Sequence, residues 1–202
     1  MEKIETKQKL LSAATVLCLI LGVLCIVGCV FGFFIVSSVS FRVTAVVEVI
    51  SVCFALYYFI RGAKKDAAKY YKAFLILIAS SYVIENLPYL FRIVTEYELD
   101  GVGVPLFEVL LFANTLFLAF VKDIGKKAAY IFCAENVVFY AYAFVTIMTD
   151  KTIPTFQFIP VISIALTWLM LAVMMFIMTV AKYLDKGIRY TEKALEEDAA
   201  AE

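Results

Sequence analysis

Four glutamates, Glu48, Glu85, Glu108 and Glu135, lie inside long apolar runs of this chain. A charged side chain at the centre of a bilayer costs about 3 kcal/mol on insertion scales, so such residues usually face a bundle interior or a water-filled cavity. Carboxyl groups held there can bind a cationic or hydrogen-bonding solute, coordinate a hard divalent ion, or carry protons. The residue types leave these three chemistries open.

Helical spacing gives the glutamates polar and aromatic neighbours. Tyr82, Glu85, Tyr89 and Arg92 recur at steps of three or four residues, which places them on one helix face, with Asn86 alongside. Convergent polar groups in an apolar bundle are typical of a binding cavity. We therefore predict an outward-facing, acidic and aromatic cavity with these candidate substrate-binding residues: Glu48, Tyr82, Glu85, Asn86, Tyr89, Arg92 and Glu108.

Each glutamate also has a purely structural interpretation. Glu48 and Glu108 could be solvated near the membrane surface, where a carboxylate costs little. Glu85 could form an ion pair with Arg92 on its own helix, and Glu135 could hold two helices together by hydrogen bonds. The sequence alone does not separate these interpretations from a binding site.

Few features of the sequence indicate a metal site, a redox centre or an enzyme active site. The chain has no histidine, and its five cysteines all lie in apolar runs without a Cys-x-x-Cys spacing. Nucleophile-elbow, zinc-protease and phosphate-loop motifs are all missing from the sequence. We predict no metal site, no cofactor and no catalytic residue. An acid/base pair of Glu85 with Glu48 or Glu108 is the one enzymatic possibility left open.

The first apolar run carries a face of small residues at helical spacing. Because lipid supplies no hydrophobic drive between helices, small residues let two backbones approach closely, and a thiol serves there as a compact spacer. We predict that this face packs against another span or against a membrane-protein partner. Its members are Ala14, Cys18, Gly22, Cys25, Cys29 and Gly32.

The composition indicates an integral membrane protein. Apolar residues make up 64% of the chain, and the mean hydropathy is +0.93. The 18 basic and 18 acidic residues balance, so no charge excess favours nucleic acid as a partner. We predict an all-α bundle of six transmembrane helices in residues 1–184 and a charged cytoplasmic tail in residues 185–202. The predicted spans cover residues 10–36, 43–60, 70–93, 103–121, 128–148 and 155–181.

The basic residues predict the orientation. With the N-terminus in the cytoplasm, every lysine and arginine except Arg42, Arg92 and Lys151 falls on the inner side. This asymmetry follows the positive-inside rule and requires an even number of spans. We therefore expect a multi-pass protein of the cell membrane with both termini cytoplasmic. In this orientation, counting residues along each span places Glu48, Glu85 and Glu108 at a similar depth in the outer half of the membrane, and Glu135 in the inner half.

In size, number of spans, placement of both ends and an outward polar cavity, the chain resembles the substrate-binding S components of energy-coupling-factor vitamin importers. The resemblance implies solute recognition and a coupling partner in the membrane. Those components use Ala-x-x-x-Ala in their first span, where this chain has Ala14-x-x-x-Cys18-x-x-x-Gly22. The resemblance therefore implies no individual site residue.

The expected function is that of a small-solute-binding transporter or transporter subunit. The alternative is a non-enzymatic assembly, sensor or scaffold protein that acts through helix–helix contacts. The expected partners are the lipid bilayer, a small solute and a membrane protein that contacts span one.

Overall fold

The computed structural model describes six α-helices and, within residues 2–36, 38–61, 67–96, 103–121, 124–150 and 154–201, no β-strand. Side chains are described over residues 4–36, 38–60, 67–88, 107–121, 124–150, 154 and 158–188. The predicted all-α helical bundle is confirmed. The helices are α1 (Glu2–Ile35), α2 (Val39–Arg61), α3 (Ala67–Glu96), α4 (Gly103–Phe120), α5 (Lys126–Thr149) and α6 (Thr155–Ala201).

Five of the described helices are long and apolar enough to cross a membrane. The exception is α4, whose described apolar part, Phe107–Phe120, is shorter. The longest helix is α6, which continues without a break through residues 185–201, the segment predicted as a charged tail. A membrane-embedded helical bundle follows from these lengths, because a helix needs about 20 apolar residues to span the hydrocarbon core.

Consecutive helices pack antiparallel, and α1 also packs against α6, so the six helices form a closed ring. The contact of α4 with α5 is the weakest between neighbours in this ring. One contact for each neighbouring pair illustrates the arrangement: Gly32 with Phe41, Tyr58 with Tyr71, Asn86 with Glu108, Phe117 with Phe132, Cys133 with Thr179, and Cys25 with Thr167.

The bundle has two ends that are useful for orientation. At the distal end, α1, α3 and α5 finish and α2, α4 and α6 begin. At the opposite, terminal end, Lys7 of α1 donates a hydrogen bond to the carbonyl oxygen of Gly187 of α6, at 3.5 Å. The first helix thus begins, and the apolar part of the last helix ends, on the same side of the bundle.

The small-residue face of α1 points into the bundle, whereas large apolar side chains such as Val23 and Val27 are exposed on its other side. An apolar outer surface is what lipid contact requires. The face itself is covered by α2 and α6: Gly22 lies against Leu56 of α2, and the Cys25 sulfur lies 3.9 Å from the Met174 sulfur of α6. Of its predicted members, five are buried and Ala14 is half-buried: Ala14, Cys18, Gly22, Cys25, Cys29 and Gly32.

Candidate functional site

A layer of polar side chains crosses the bundle interior on the distal side of its middle, and every helix contributes to it. We call it the acidic layer. Its members are Cys29 of α1, Thr44 and Glu48 of α2, Tyr82, Glu85 and Asn86 of α3, Glu108 of α4, Asn136 and Tyr140 of α5, and Trp168 of α6.

Three carboxyl groups from three different helices share this layer. The carboxyl group of Glu85 interacts electrostatically with those of Glu108 and Glu48. Glu48 is only 2% exposed although it carries an ionisable group. The structure therefore brings together the three glutamates that the sequence singled out for their similar depth.

Glu48 is held from one side only. The Cys29 thiol donates to Glu48 Oε2 at 3.4 Å, a contact that joins α1 to α2. Ser51, one turn further along α2, donates to the backbone carbonyl of Glu48 rather than to its carboxyl group. The second carboxyl oxygen, Oε1, has no partner among the described residues.

Glu85 lies beside an interruption in the hydrogen bonding of α3. Pro88 is inside this helix and has no N–H, so the carbonyl of Ile84 cannot receive the usual helical hydrogen bond from residue 88. Next to that carbonyl, Glu85 Oε2 is buried and unpartnered among the described side chains. Adjacent residues of α3 thus carry a carbonyl that lacks its usual helical donor and a carboxyl oxygen that has no described partner.

Glu108 is hydrogen-bonded by a side-chain amide from another helix. The side-chain amide of Asn86 donates to Glu108 Oε2 and also to the backbone carbonyl of Tyr82, the latter at 2.8 Å. This amide therefore links α3 to α4. The predicted members Asn86 and Glu108 contact each other directly.

An aromatic cluster forms the other side of the layer. The rings of Tyr82, Tyr140 and Trp168 lie 5.1–6.2 Å apart between centroids. The Tyr82 hydroxyl donates to Asn136 Oδ1 at 2.8 Å, which orients the ring from α3 toward α5. Trp168 is 5% exposed, so this indole is enclosed by protein.

Five buried side-chain atoms have no hydrogen-bond partner within the described part of the chain, and all five belong to the acidic layer. Buried polar atoms in folded proteins nearly always have a partner, so each exception requires an explanation. Here the exceptions come from four helices and include both donors and acceptors. They are Thr44 Oγ1, Glu48 Oε1, Glu85 Oε2, Tyr140 Oη and Trp168 Nε1.

No described basic side chain forms an ion pair with Glu48, Glu85 or Glu108. The predicted pairing of Glu85 with Arg92 involves a side chain outside the described residues, as does the predicted contribution of Tyr89. Nor do the described cysteine, aspartate and glutamate side chains form a group that could hold a metal ion. The described part of the layer is thus rich in acceptors and free of positive charge.

Glu135 lies outside this layer. It accepts a hydrogen bond from Asn114 at 2.6 Å, which links α5 to α4 as the structural interpretation predicted. It also lines a groove of about 630 Å³ between these two helices, together with Phe107 and Phe139. A second groove, of about 280 Å³, opens between α1 and α2 and reaches Cys29. Both grooves open sideways, and the outward-facing cavity remains a prediction.

Sequence reasoning missed several members of the layer. The sequence predicted Cys29 only as part of a helix-packing face, and it did not single out Asn136 or Tyr140 as site residues. A signal for Trp168 was present, because the chain has a single tryptophan and it lies in the middle of a span. Mid-span placement of an indole, which has one N–H to satisfy, can mark a polar interior.

Comparison with known protein families, curated proteins and solved structures finds no match to this chain. Function is therefore inferred from the side chains of this chain and their contacts.

Proposed function

We propose that this chain is a solute-binding protein of the cell membrane, a transporter or a transporter subunit, and that its acidic layer binds the solute. The observation that carries the proposal is the set of five buried polar atoms without a partner in that layer. Leaving a buried donor or acceptor unsatisfied costs about 1–3 kcal/mol per group. A solute that completes these hydrogen bonds would recover that cost.

Burial alone does not account for the layer. A layer that served only to join helices would pair its polar groups, because an apolar interior of the same shape is at least as stable as a half-satisfied network. Asn86 with Glu108, and Tyr82 with Asn136, form such pairs. Glu48 and Glu85 do not use all of their carboxyl oxygens in this way.

The terminal end of the bundle supports the proposed orientation. The ammonium groups of Lys72, Lys126 and Lys182 lie 4.2–5.5 Å from aromatic ring centroids at this end. Basic side chains at a membrane interface are typical of the cytoplasmic side, whereas aromatic side chains are enriched at both interfaces. With the terminal end in the cytoplasm, the acidic layer lies toward the outer face and would receive a solute from outside.

Access to the layer would require a helix to move, and α4 is suited to this. It packs closely on α3 but only loosely on α5. Its link to α3 includes the hydrogen bond from Asn86 to Glu108. Breaking that bond would loosen α4 and admit the solute to the layer, and release inward or delivery to a partner subunit would follow.

The test is to identify the bound solute and measure its affinity for two matched variants. Full-length protein is purified in lipid nanodiscs, denatured, and the released small molecules are identified by mass spectrometry. Glu85→Gln should weaken binding of that solute about tenfold or more, because a charged hydrogen bond contributes about 1.5–3 kcal/mol. Glu135→Gln is the control, since Glu135 is also a membrane glutamate but lies outside the layer.

Retained affinity in Glu85→Gln would contradict the proposal. The same holds if protein from native membranes never carries a small molecule. Either result would favour the assembly or scaffold alternative, in which the glutamates are structural.

A further inference from the structure

We infer that the solute is an organic cation with N–H donors and an aromatic or apolar body, bound between the carboxyl groups of Glu48 and Glu85 and the rings of Tyr82, Tyr140 and Trp168. This inference rests on the proposed function and specifies its substrate class. It depends on four features of the acidic layer: its charge, its spacing, its aromatic side, and the atoms it leaves unpartnered.

The first feature is charge. Glu85 lies within electrostatic reach of both Glu108 and Glu48. None of them has a described basic partner, although the chain has as many basic as acidic residues. A positively charged ligand is the chemistry that complements such a site, because a buried charge is stabilised chiefly by an opposite charge or by hydrogen bonds.

The second feature is spacing, which argues against a bare metal ion. Calcium and magnesium require several oxygens to converge at about 2.0–2.6 Å from one point. The described carboxyl and thiol groups nowhere converge in this way. Carboxyl groups that interact through space, yet do not converge on a point, fit a charged group attached to a larger molecule.

The third feature is the aromatic side. Tyr82, Tyr140 and Trp168 present three mutually contacting rings beside the carboxyl groups. An organic cation within about 6 Å of such a ring gains cation–π attraction, which is strongest for tryptophan. A hydrated divalent ion makes no use of this surface.

The fourth feature is the pattern of unpartnered atoms. Glu48 Oε1 and Glu85 Oε2 are acceptors, so the ligand must supply donors, as an ammonium or amidinium group does. Glu108 is already occupied by Asn86, which leaves two carboxyl groups for one or two charged nitrogens. Trp168 Nε1 is a donor and is 5% exposed, so the ligand should also present one acceptor or a π surface to it.

The single tryptophan makes the test specific to this layer. Full-length protein in nanodiscs is titrated, with tryptophan fluorescence as the readout, against matched probes that differ in charge. One set is benzylammonium, benzyl alcohol and benzoate, and a second is 1,5-diammoniopentane, pentane-1,5-diol and glutarate. Calcium chloride is titrated separately. The titrations are repeated with Glu85→Gln, Glu48→Gln and the control Glu135→Gln.

We expect at least one ammonium probe to change Trp168 emission at a concentration about tenfold or more below that of its alcohol and carboxylate counterparts. That preference should disappear in Glu48→Gln and Glu85→Gln and persist in Glu135→Gln. Equal binding of the neutral or anionic probes would overturn the inference, as would a response to calcium alone. The inference would also be overturned if no ammonium probe changed the emission of Trp168. A solute recovered from the purified protein that is neutral or anionic would reject the cation while leaving the proposed function intact.

Discussion

Two polar layers cross the interior of this bundle. In one layer the side-chain polar groups are hydrogen-bonded to each other, and in the other several buried polar atoms have no described partner. Nearer the terminal end lies the Tyr71 layer, composed of Tyr71 of α3, Cys133 of α5 and Thr179 of α6. There, the Tyr71 hydroxyl lies 2.8 Å from Thr179 Oγ1, and the Cys133 thiol donates to the same oxygen at 3.2 Å. Thr179 in turn donates to the carbonyl of Met175. Each side-chain group has a partner in this layer.

The acidic layer also lies in the interior, although Glu85, Asn86 and Glu108 are only half-buried, and five of its buried polar atoms have no partner among the described residues. The two layers therefore differ in how completely their buried polar groups are hydrogen-bonded. The Tyr71 layer joins α3, α5 and α6 through a complete network, as polar residues between membrane helices often do. Beside the acidic layer, steric contact contributes to positioning the helices, for example Gly28 against Thr167. In the proposed function, the unpartnered polar atoms of the acidic layer bind the solute.

The largest expected effect comes from disturbing that steric contact with Gly28→Ala. A Cβ at this position would overlap Thr167 Oγ1, which is held on a short side chain by its bond to the Ser163 carbonyl. We expect a loss of about 1–3 kcal/mol in unfolding free energy, because overpacking forces side chains or backbone to shift. Reversible unfolding in mixed micelles measures it.

Gly22→Ala is the matched control for this substitution. Its Cβ would meet chiefly the end of the flexible Leu56 side chain, which can move at low cost. Both variants gain the same helix propensity, so their difference isolates the contact with Thr167. Equal stability of the two variants would show that close approach of α1 and α6 does not position the acidic layer.

A somewhat smaller effect is expected for Thr179→Val in the Tyr71 layer. The substitution keeps shape and branching but removes the oxygen that accepts from Tyr71 and Cys133. Two buried donors then lose their acceptor, and we expect a cost of about 1–2 kcal/mol in the same unfolding measurement. A neutral result would mean that the Tyr71 layer contributes little to holding the helices together.

The smallest effect is expected for Thr44→Val, the same substitution in the acidic layer. Thr44 and Thr179 are both 0% exposed, but Thr44 Oγ1 has no described partner. Removing an unsatisfied buried hydroxyl should change the unfolding free energy by less than about 0.5 kcal/mol or stabilise the protein. A loss as large as that of Thr179→Val would remove the contrast between the two layers and, with it, the main support for a solute site.

The sequence predicted much of this arrangement because the relevant patterns are local. Hydropathy indicated the helices, and the depth of Glu48, Glu85 and Glu108 followed from counting residues along each span. The small face of α1 followed from helical spacing, and it is buried against α2 and α6. The bond between Asn86 and Glu108 was not predictable, because nothing local states which helices are neighbours.

What the sequence determined by itself is therefore the class of protein, the helices, and the presence of carboxyl groups at one depth. These depend on composition and on a period of 3.6 residues, both of which a single helix carries. Only the tertiary structure decided which polar groups meet. It gave the Thr179 hydroxyl three partners and the Thr44 hydroxyl none among the described residues, although the two residues are chemically the same. Whether a buried polar group has a hydrogen-bond partner depends on the helix opposite to it. The sequence of a single helix does not specify which helices will be its neighbours in the ring.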